Sequence, residues 1–440
     1  MMVVSCPQLA VTEHREPTPA VVSSPDLLRE MQVARSLQGL LEAVLWLVVA
    51  GSALGSGAAH AWADSASAVA CVGAAGIALA RALAVGGLRQ RLGPHRVALH
   101  ASGRWVVIEP HPADRVLGWS IDLAEPALPW GPLLRPGLAF LALALLQRVP
   151  IAGEPVSADP EATWRGVAFV LSLLLLHAAA GAAFTDRGAR RRFVGMLAGL
   201  GAFLSLLVLA RVASGMAGIH GLFEPLEGHR PDGPFVSRNH FGGYMLLVVP
   251  IALSLLGDAW AARARRVGDP PDARRSLPRL RSREGRALVW TALPSLLGIA
   301  ALLASASRAG MLAFVAALAL AEAGLRAERR VPAWAVALVI AGMTLTWLAL
   351  EPPDVGLRRA ADGVPGLLVA SWAGFAVLGA ARREPWLFAA FAGALLHAFV
   401  DRDLLVPAIA ALFVVLAALA RAGAPAETTP RAAIRGDGAA

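Results

Sequence analysis

A chain crossed again and again by apolar runs as long as a bilayer is thick has few folds open to it. Twelve such runs divide this sequence, at about 37–56, 65–86, 134–152, 164–184, 193–213, 240–260, 287–306, 309–325, 331–350, 364–381, 385–400 and 404–420. A helix of about 20 apolar residues crosses ~30 Å of hydrocarbon, and inside it only helices and closed barrels leave no backbone group unpaired. The expectation is an all-α polytopic bundle of about 12 spans. That replaces the roughly three soluble domains that length alone would allow. Composition agrees, with 57% hydrophobic and only 16% charged residues. The stretch 287–325 is too long for one crossing, and Ser305-Ala306-Ser307-Arg308 splits it into a tight hairpin.

The arginines set the orientation. The chain has no lysine, so its net charge of +9 rests on arginine alone. Arginines crowd 87–131, 185–192 ("TDRGARRR"), 261–286, 326–330 ("RAERR") and 382–384 ("RRE"). All five segments fall on one side if both termini lie there too, and positively charged loops mark the cytoplasm. Short basic loops between spans explain the charge without any nucleic-acid partner. Residues 1–35 and 421–440 read as disordered cytoplasmic tails flanking a membrane domain over 36–420. Within the cytoplasmic loop 87–131, "HRVALHASGRWVVIEP" (95–110) alternates around Ser102-Gly103, which fits a small β-hairpin or an irregular loop. Cys6 and Cys71, the two cysteines, give no disulfide framework and no metal spacing. There is no phosphate-cradling glycine loop and no HExxH, so no metal or cofactor is expected.

The other side receives fewer polar residues, and these need explaining. In "GPFVSRNHFGGYMLLVVP" (233–250), Arg238, Asn239 and His240 stand together at the mouth of a membrane helix. They fit an interfacial cap, with Asn239 as the capping residue. They also fit an anion site, where a guanidinium joins the backbone N–H groups and dipole of a helix start. Arg308 is on the wrong side to be topogenic; it either snorkels alone or serves such a site. Ser305 and Ser307 are hydroxyl partners or small turn residues. Arg211 opens the most polar outward segment, 211–240, with His220, Glu224, Glu227, His229, Arg230 and Asp232. In "LLHAFVDRDLLVP" (395–407), His397 and Asp401 share a helix face, as a catalytic pair, a proton relay or a structural pair. His177, mid-span, reads as a buried, hydrogen-bonded histidine rather than a ligand.

These motifs carry a resemblance. "GPFVSRNHFGGYMLLVVPIAL" resembles the signature of the O-antigen ligase and polymerase family. "SASRAGMLAF" is similar to that family's S-x-S-R hairpin, "LLHAFVDRDLLVPAIAALFVVL" to its late helix pair, and "SADPEAT" (157–163) to a segment of one branch. They follow the family's order over about 150–420. The resemblance implies a GT-C-like glycosyltransferase of the bacterial inner membrane, acting in lipopolysaccharide or other surface polysaccharide assembly. It would move a glycan from undecaprenyl pyrophosphate to a periplasmic lipid or glycan acceptor, among membrane lipids, without cofactor or metal. A polymerase using the same donor and a non-catalytic glycan-binding member are the alternatives. By the same resemblance Arg238 and Arg308, with Arg211, hold the donor pyrophosphate; Asn239 and Asp401, singled out above on their own positions, are further substrate-binding candidates. An attacking hydroxyl needs a proton acceptor. The family's periplasmic-loop histidine has no counterpart in "EPPDVGLRRAAD" (351–362), so that role falls to His240 or His397, the latter oriented by Asp401.

Overall fold

The computed structural model describes residues 20–21, 24–55, 61–92, 96–99, 105–108, 120–122, 131–151, 154–155, 157, 159–215, 233–267, 282–326, 372–374, 376–379, 381, 384–401 and 403–422. Its helices are α1 (Pro25–Leu54), α2 (Ala61–Leu92), α3 (Leu134–Leu146), α4 (Pro160–Ala183), α5 (Arg187–Ser214), α6 (Arg238–Val267), α7 (Arg283–Ala304), α8 (Arg308–Arg326), α9 (Pro385–Asp401) and α10 (Pro407–Ala422), with a 3-10 turn at Asp403–Leu405. Six of them, α1, α2 and α4 to α7, are long and apolar enough to cross a membrane; α3, α8, α9 and α10 carry shorter apolar stretches. The protein is a helical membrane protein. Large apolar side chains such as Leu47, Leu83 and Trp290 are exposed along its flanks, as a lipid-facing surface requires. The expected spans at 331–350 and most of 364–381, the outward segments 216–232 and 351–362 and the tails 1–19 and 423–440 lie outside the described residues.

Two expectations change. The N-terminal segment is helical from Pro25, not a tail to residue 35. Ser24 and a proline at the first helical position start α1 there. Met31 and Ala34 then pack on Val85 and Leu88 of α2, with Leu27, Leu28 and Leu92 around them. This amphipathic start carries its apolar residues at helical spacing, which average hydropathy does not register. The third run ends early: α3 stops at Leu146, where Gln147 and Arg148 break the apolar stretch. A two-strand ladder, Pro150–Ile151 with Glu154–Pro155, follows. The "SADPEAT" segment then starts α4. Asp159 caps it by accepting from the Ala162 N–H at 2.9 Å, Pro160 takes the first helical position, and the Ser157 and Thr163 hydroxyls are bonded at 2.7 Å.

The segment 95–110 contains antiparallel strands Arg96–Leu99 and Trp105–Ile108. Ser120–Asp122 and Ala20–Val21 extend them to a four-stranded sheet.

Polar contacts tie α1, α2, α4 and α5 together at one end. Glu42 of α1 takes two bonds from the Arg192 guanidinium of α5, both at 2.9 Å, and Arg192 also reaches Asp186 at 3.2 Å. Asp186 caps α5 through the Gly188 and Ala189 N–H groups. Arg81 of α2, 4% exposed, donates to the Thr185 hydroxyl at 3.0 Å, and Gln38 donates to both Glu42 and the Ala183 carbonyl. Glu42→Gln should leave Arg192 with a weaker partner in a half-buried site. Allowing for solvent at Arg192, the expected cost is about 1–2 kcal/mol, seen as a lower thermal midpoint of the purified protein in detergent. An unchanged midpoint would show that the pair contributes nothing.

The rest of the bundle is built around α6. A Cβ on Gly201 of α5 would collide with Val248, and one on Gly233 would meet Val208 at 3.1 Å, so α5 and α6 run antiparallel. Gly298 of α7 faces Met245 and Val249. Gly393 of α9 faces both Leu246 of α6 and Ala317 of α8, each at 3.3 Å, while Gly257 of α6 faces Trp386 at the start of α9. Helices α7 and α9 therefore also run against α6, and α8 runs with it. Arginines at 187–192, Arg283, Arg286, Arg326 and Arg421 consequently share one end of the bundle. The starts of α6 and α8 and the ends of α5, α7 and α9 share the other.

Candidate functional site

The site is at that second end, and its centre joins residues 68 positions apart. The Ser307 hydroxyl donates to the Asn239 side-chain oxygen at 3.1 Å. The same hydroxyl accepts from the Gly310 N–H at 3.2 Å and so caps α8. Ser307 has no exposed surface. Gly242, one turn below Asn239, makes room for it: an added Cβ would lie 3.0 Å from the Ser307 oxygen and 3.7 Å from the Gly310 Cα. Ser305 supports the turn from below, donating to the Leu302 carbonyl at 2.8 Å and accepting from the Ser307 N–H at 3.3 Å. Between them Ala306 holds φ 53, a left-handed conformation that costs a residue with a side chain on the order of 1 kcal/mol.

Sequence reasoning offered Asn239 as the cap of α6. The cap is Ser237 instead: its hydroxyl accepts from the Asn239 N–H at 3.2 Å and its carbonyl from the Phe241 N–H at 3.1 Å. That leaves the Asn239 side chain for Ser307. The serines of the turn are likewise hydrogen-bonding groups and not only small residues. Their signal was the S-x-S-R spacing, where a serine stands just before a helix start.

The other candidates gather around this junction by helix register. Arg238 stands eight residues before Leu246, Arg308 nine before Ala317, and Asp401 eight beyond Gly393, while Leu246, Ala317 and Gly393 touch. At 1.5 Å per residue all three come to about 12–14 Å above that contact. His397 is one turn nearer to it and is 1% exposed. Arg211 is in the last turn of α5, ten residues beyond Gly201, and Arg238 is ten before its neighbour Val248. Arg238, Asn239 and His240 are half-buried and Arg308 is exposed. His220 and His229 lie outside the described residues. Polar groups of this end thus collect where two helix N-termini meet, each positive at its free N–H groups and each carrying an arginine. Such a place suits an anion.

Several polar atoms here have no partner among the described residues. The His240 Nδ1, the Tyr244 hydroxyl and the Asp401 Oδ2 are buried and make no hydrogen bond among the described residues. His177 stands apart from the site. It is buried in α4, and its Nδ1 lies 2.8 Å from the Val414 carbonyl of α10. A carbonyl only accepts, so Nδ1 carries the hydrogen, as expected of a structural histidine. The ring also fills the space beside Gly131, where a Cβ would collide with it.

No family model, curated protein or solved structure matches this chain.

Proposed function

We propose that the protein is an O-antigen ligase-like glycosyltransferase of surface polysaccharide assembly, which takes its glycan from undecaprenyl pyrophosphate. In this picture it is a GT-C-like bundle of about 12 spans in the bacterial inner membrane, with both termini cytoplasmic and the Asn239–Ser307 junction facing the periplasm. One observation carries it. The starts of α6 and α8 meet through the Asn239–Ser307 hydrogen bond, with Arg238 and Arg308 as their first residues. Two guanidinium groups and two helix dipoles there suit a pyrophosphate held at membrane depth. As the glycan leaves, negative charge builds on the pyrophosphate, and preorganised cations stabilise it. His397 and Asp401 at the same end, and His240 within the junction, supply candidate proton acceptors for the attacking hydroxyl.

Deleting the gene and analysing lipopolysaccharide together with carrier-linked glycans tests this. A ligase predicts loss of the lipid A-linked polymer while the carrier-linked glycan persists. Shortened chains would point to a polymerase, and unchanged glycans would remove the proposal. The orientation has its own test. A reporter fused after Arg275 should be active only in the cytoplasm, because the arginine-rich ends share that side; periplasmic activity would reverse the whole topology.

A further inference from the structure

Helix α6 assigns most of its faces to neighbours. Asn239 and Gly242 face α8, Met245 and Val249 face α7, Val248 faces α5, and Leu246 faces α9. At 3.6 residues per turn, His240 and Tyr244 fall together in the sector that remains, one turn apart on a shared face. The other elements packed against α6 are α10 and the 3-10 turn. Tyr244 is the only tyrosine in the chain and has no exposed surface. Its ring packs on Phe235 at 5.3 Å, and Phe235 belongs to the strap Gly233–Ser237 that leads into α6. The hydroxyl has no hydrogen-bond partner among the described residues, and neither has the His240 Nδ1 above it.

A phenol with no exposed surface is normally bonded, because an unmade hydrogen bond there is costly. Phenylalanine would fill the same space at this position without that cost. The pair is also complementary. A tyrosine hydroxyl donates and accepts, and an imidazole nitrogen does either according to tautomer. One hydroxyl group placed between them would satisfy both. The ligand class follows from the site read above, on which this step rests: a pyrophosphate-linked glycan brings hydroxyl groups wherever it brings its phosphates.

We propose that Tyr244 and His240 bind a sugar hydroxyl of the carrier-linked glycan, and so distinguish the loaded carrier from the bare one. The Phe235 ring packs against Tyr244, so the strap has to move aside for the sugar to reach the hydroxyl. Arg238 and Arg308 hold the pyrophosphate common to both carriers, whereas the tyrosine–histidine pair senses only the loaded one.

The test compares two probes on the full-length protein in detergent. One is bare undecaprenyl pyrophosphate; the other is the undecaprenyl-pyrophosphate-linked glycan fraction extracted from the source cells. Binding is read from the ligand-dependent rise in thermal midpoint. Tyr244→Phe should bind the bare carrier as the wild type does and the loaded carrier about tenfold more weakly. His240→Gln, which removes the group at the Nδ1 position and is a second route should the first variant fail to fold, should show the same selective loss. Equal loaded-carrier binding by the wild type and both variants overturns the proposal, because the hydroxyl then meets only water. A loss for both probes also overturns it, since the pair would be supporting the junction itself. If the wild type binds neither probe, the donor assignment falls and this role falls with it. Binding of the bare carrier with an unselective response to Tyr244→Phe leaves the donor site standing and removes only the sugar contact.

Discussion

Gly242→Val should separate α6 from α8 and lower stability by roughly 3 kcal/mol, the upper part of the range for forcing extra carbons into a packed core. The first added carbon would already lie 3.0 Å from the Ser307 oxygen and 3.3 Å from its Cβ. That oxygen cannot step aside freely, because it is bonded to Asn239 on one side and to the Gly310 N–H on the other. The branch carbons of valine would then press toward the Gly310 backbone, which has no rotamer to change. Gly242→Ala should cost less. It meets the same oxygen, but alanine is better than glycine in a helix by about 1 kcal/mol, which offsets part of the strain. Thermal unfolding of the two variants in detergent, followed by tryptophan fluorescence, measures both. A valine variant that melts with the wild type would mean that the two helix starts do not touch as described.

Arg238→Lys should fail nearly as badly as Arg238→Ala in any assay of glycan transfer. Lysine keeps the charge but not the planar fork that meets two phosphate oxygens at once. The expected loss is about 3 kcal/mol of transition-state stabilisation, or roughly a hundredfold in rate. The contrast between arginine positions sharpens the test. Arg192 is equally cationic and already bound to Glu42 and Asp186 at the far end of the bundle. Arg192→Lys should therefore lower stability slightly and leave the transfer rate of the folded fraction unchanged. If Arg238→Lys retained near-complete activity, a general positive field would suffice and no bidentate contact would be needed.

Where helices lie was largely legible, because membrane crossing leaves a coarse signal. The apolar runs at 193–213, 240–260, 287–306 and 309–325 reappear within α5 to α8, and the Ser305–Arg308 break is the turn between α7 and α8. The start of α1 was hidden, since Leu27, Leu28, Met31 and Ala34 bury one stripe while most of their neighbours are polar. At the site, residue types and spacing pointed to Arg238, Asn239 and Arg308, but not to how they are held. Nothing local says that Asn239 bonds Ser307 rather than capping its own helix. That choice depends on Ser237 taking the cap and on Gly242 letting another helix approach. Tyr244 was passed over for a related reason. A tyrosine in an apolar helix is unremarkable until its hydroxyl is found enclosed and without a hydrogen-bond partner among the described residues.

The most direct measurement is carrier binding at the junction. Native mass spectrometry of the purified protein with undecaprenyl pyrophosphate should show one bound carrier per chain. Undecaprenyl monophosphate should bind more weakly, because it brings fewer oxygens to the two guanidinium groups. Arg238→Ala combined with Arg308→Ala should abolish the adduct while leaving the folded chain intact, since neither arginine takes part in the Asn239–Ser307 bond. The same adduct on the double variant, or equal retention of the two carriers, would contradict the account: the lipid would then be held by its tail alone, and the meeting of α6 and α8 would be a packing contact without a pyrophosphate site.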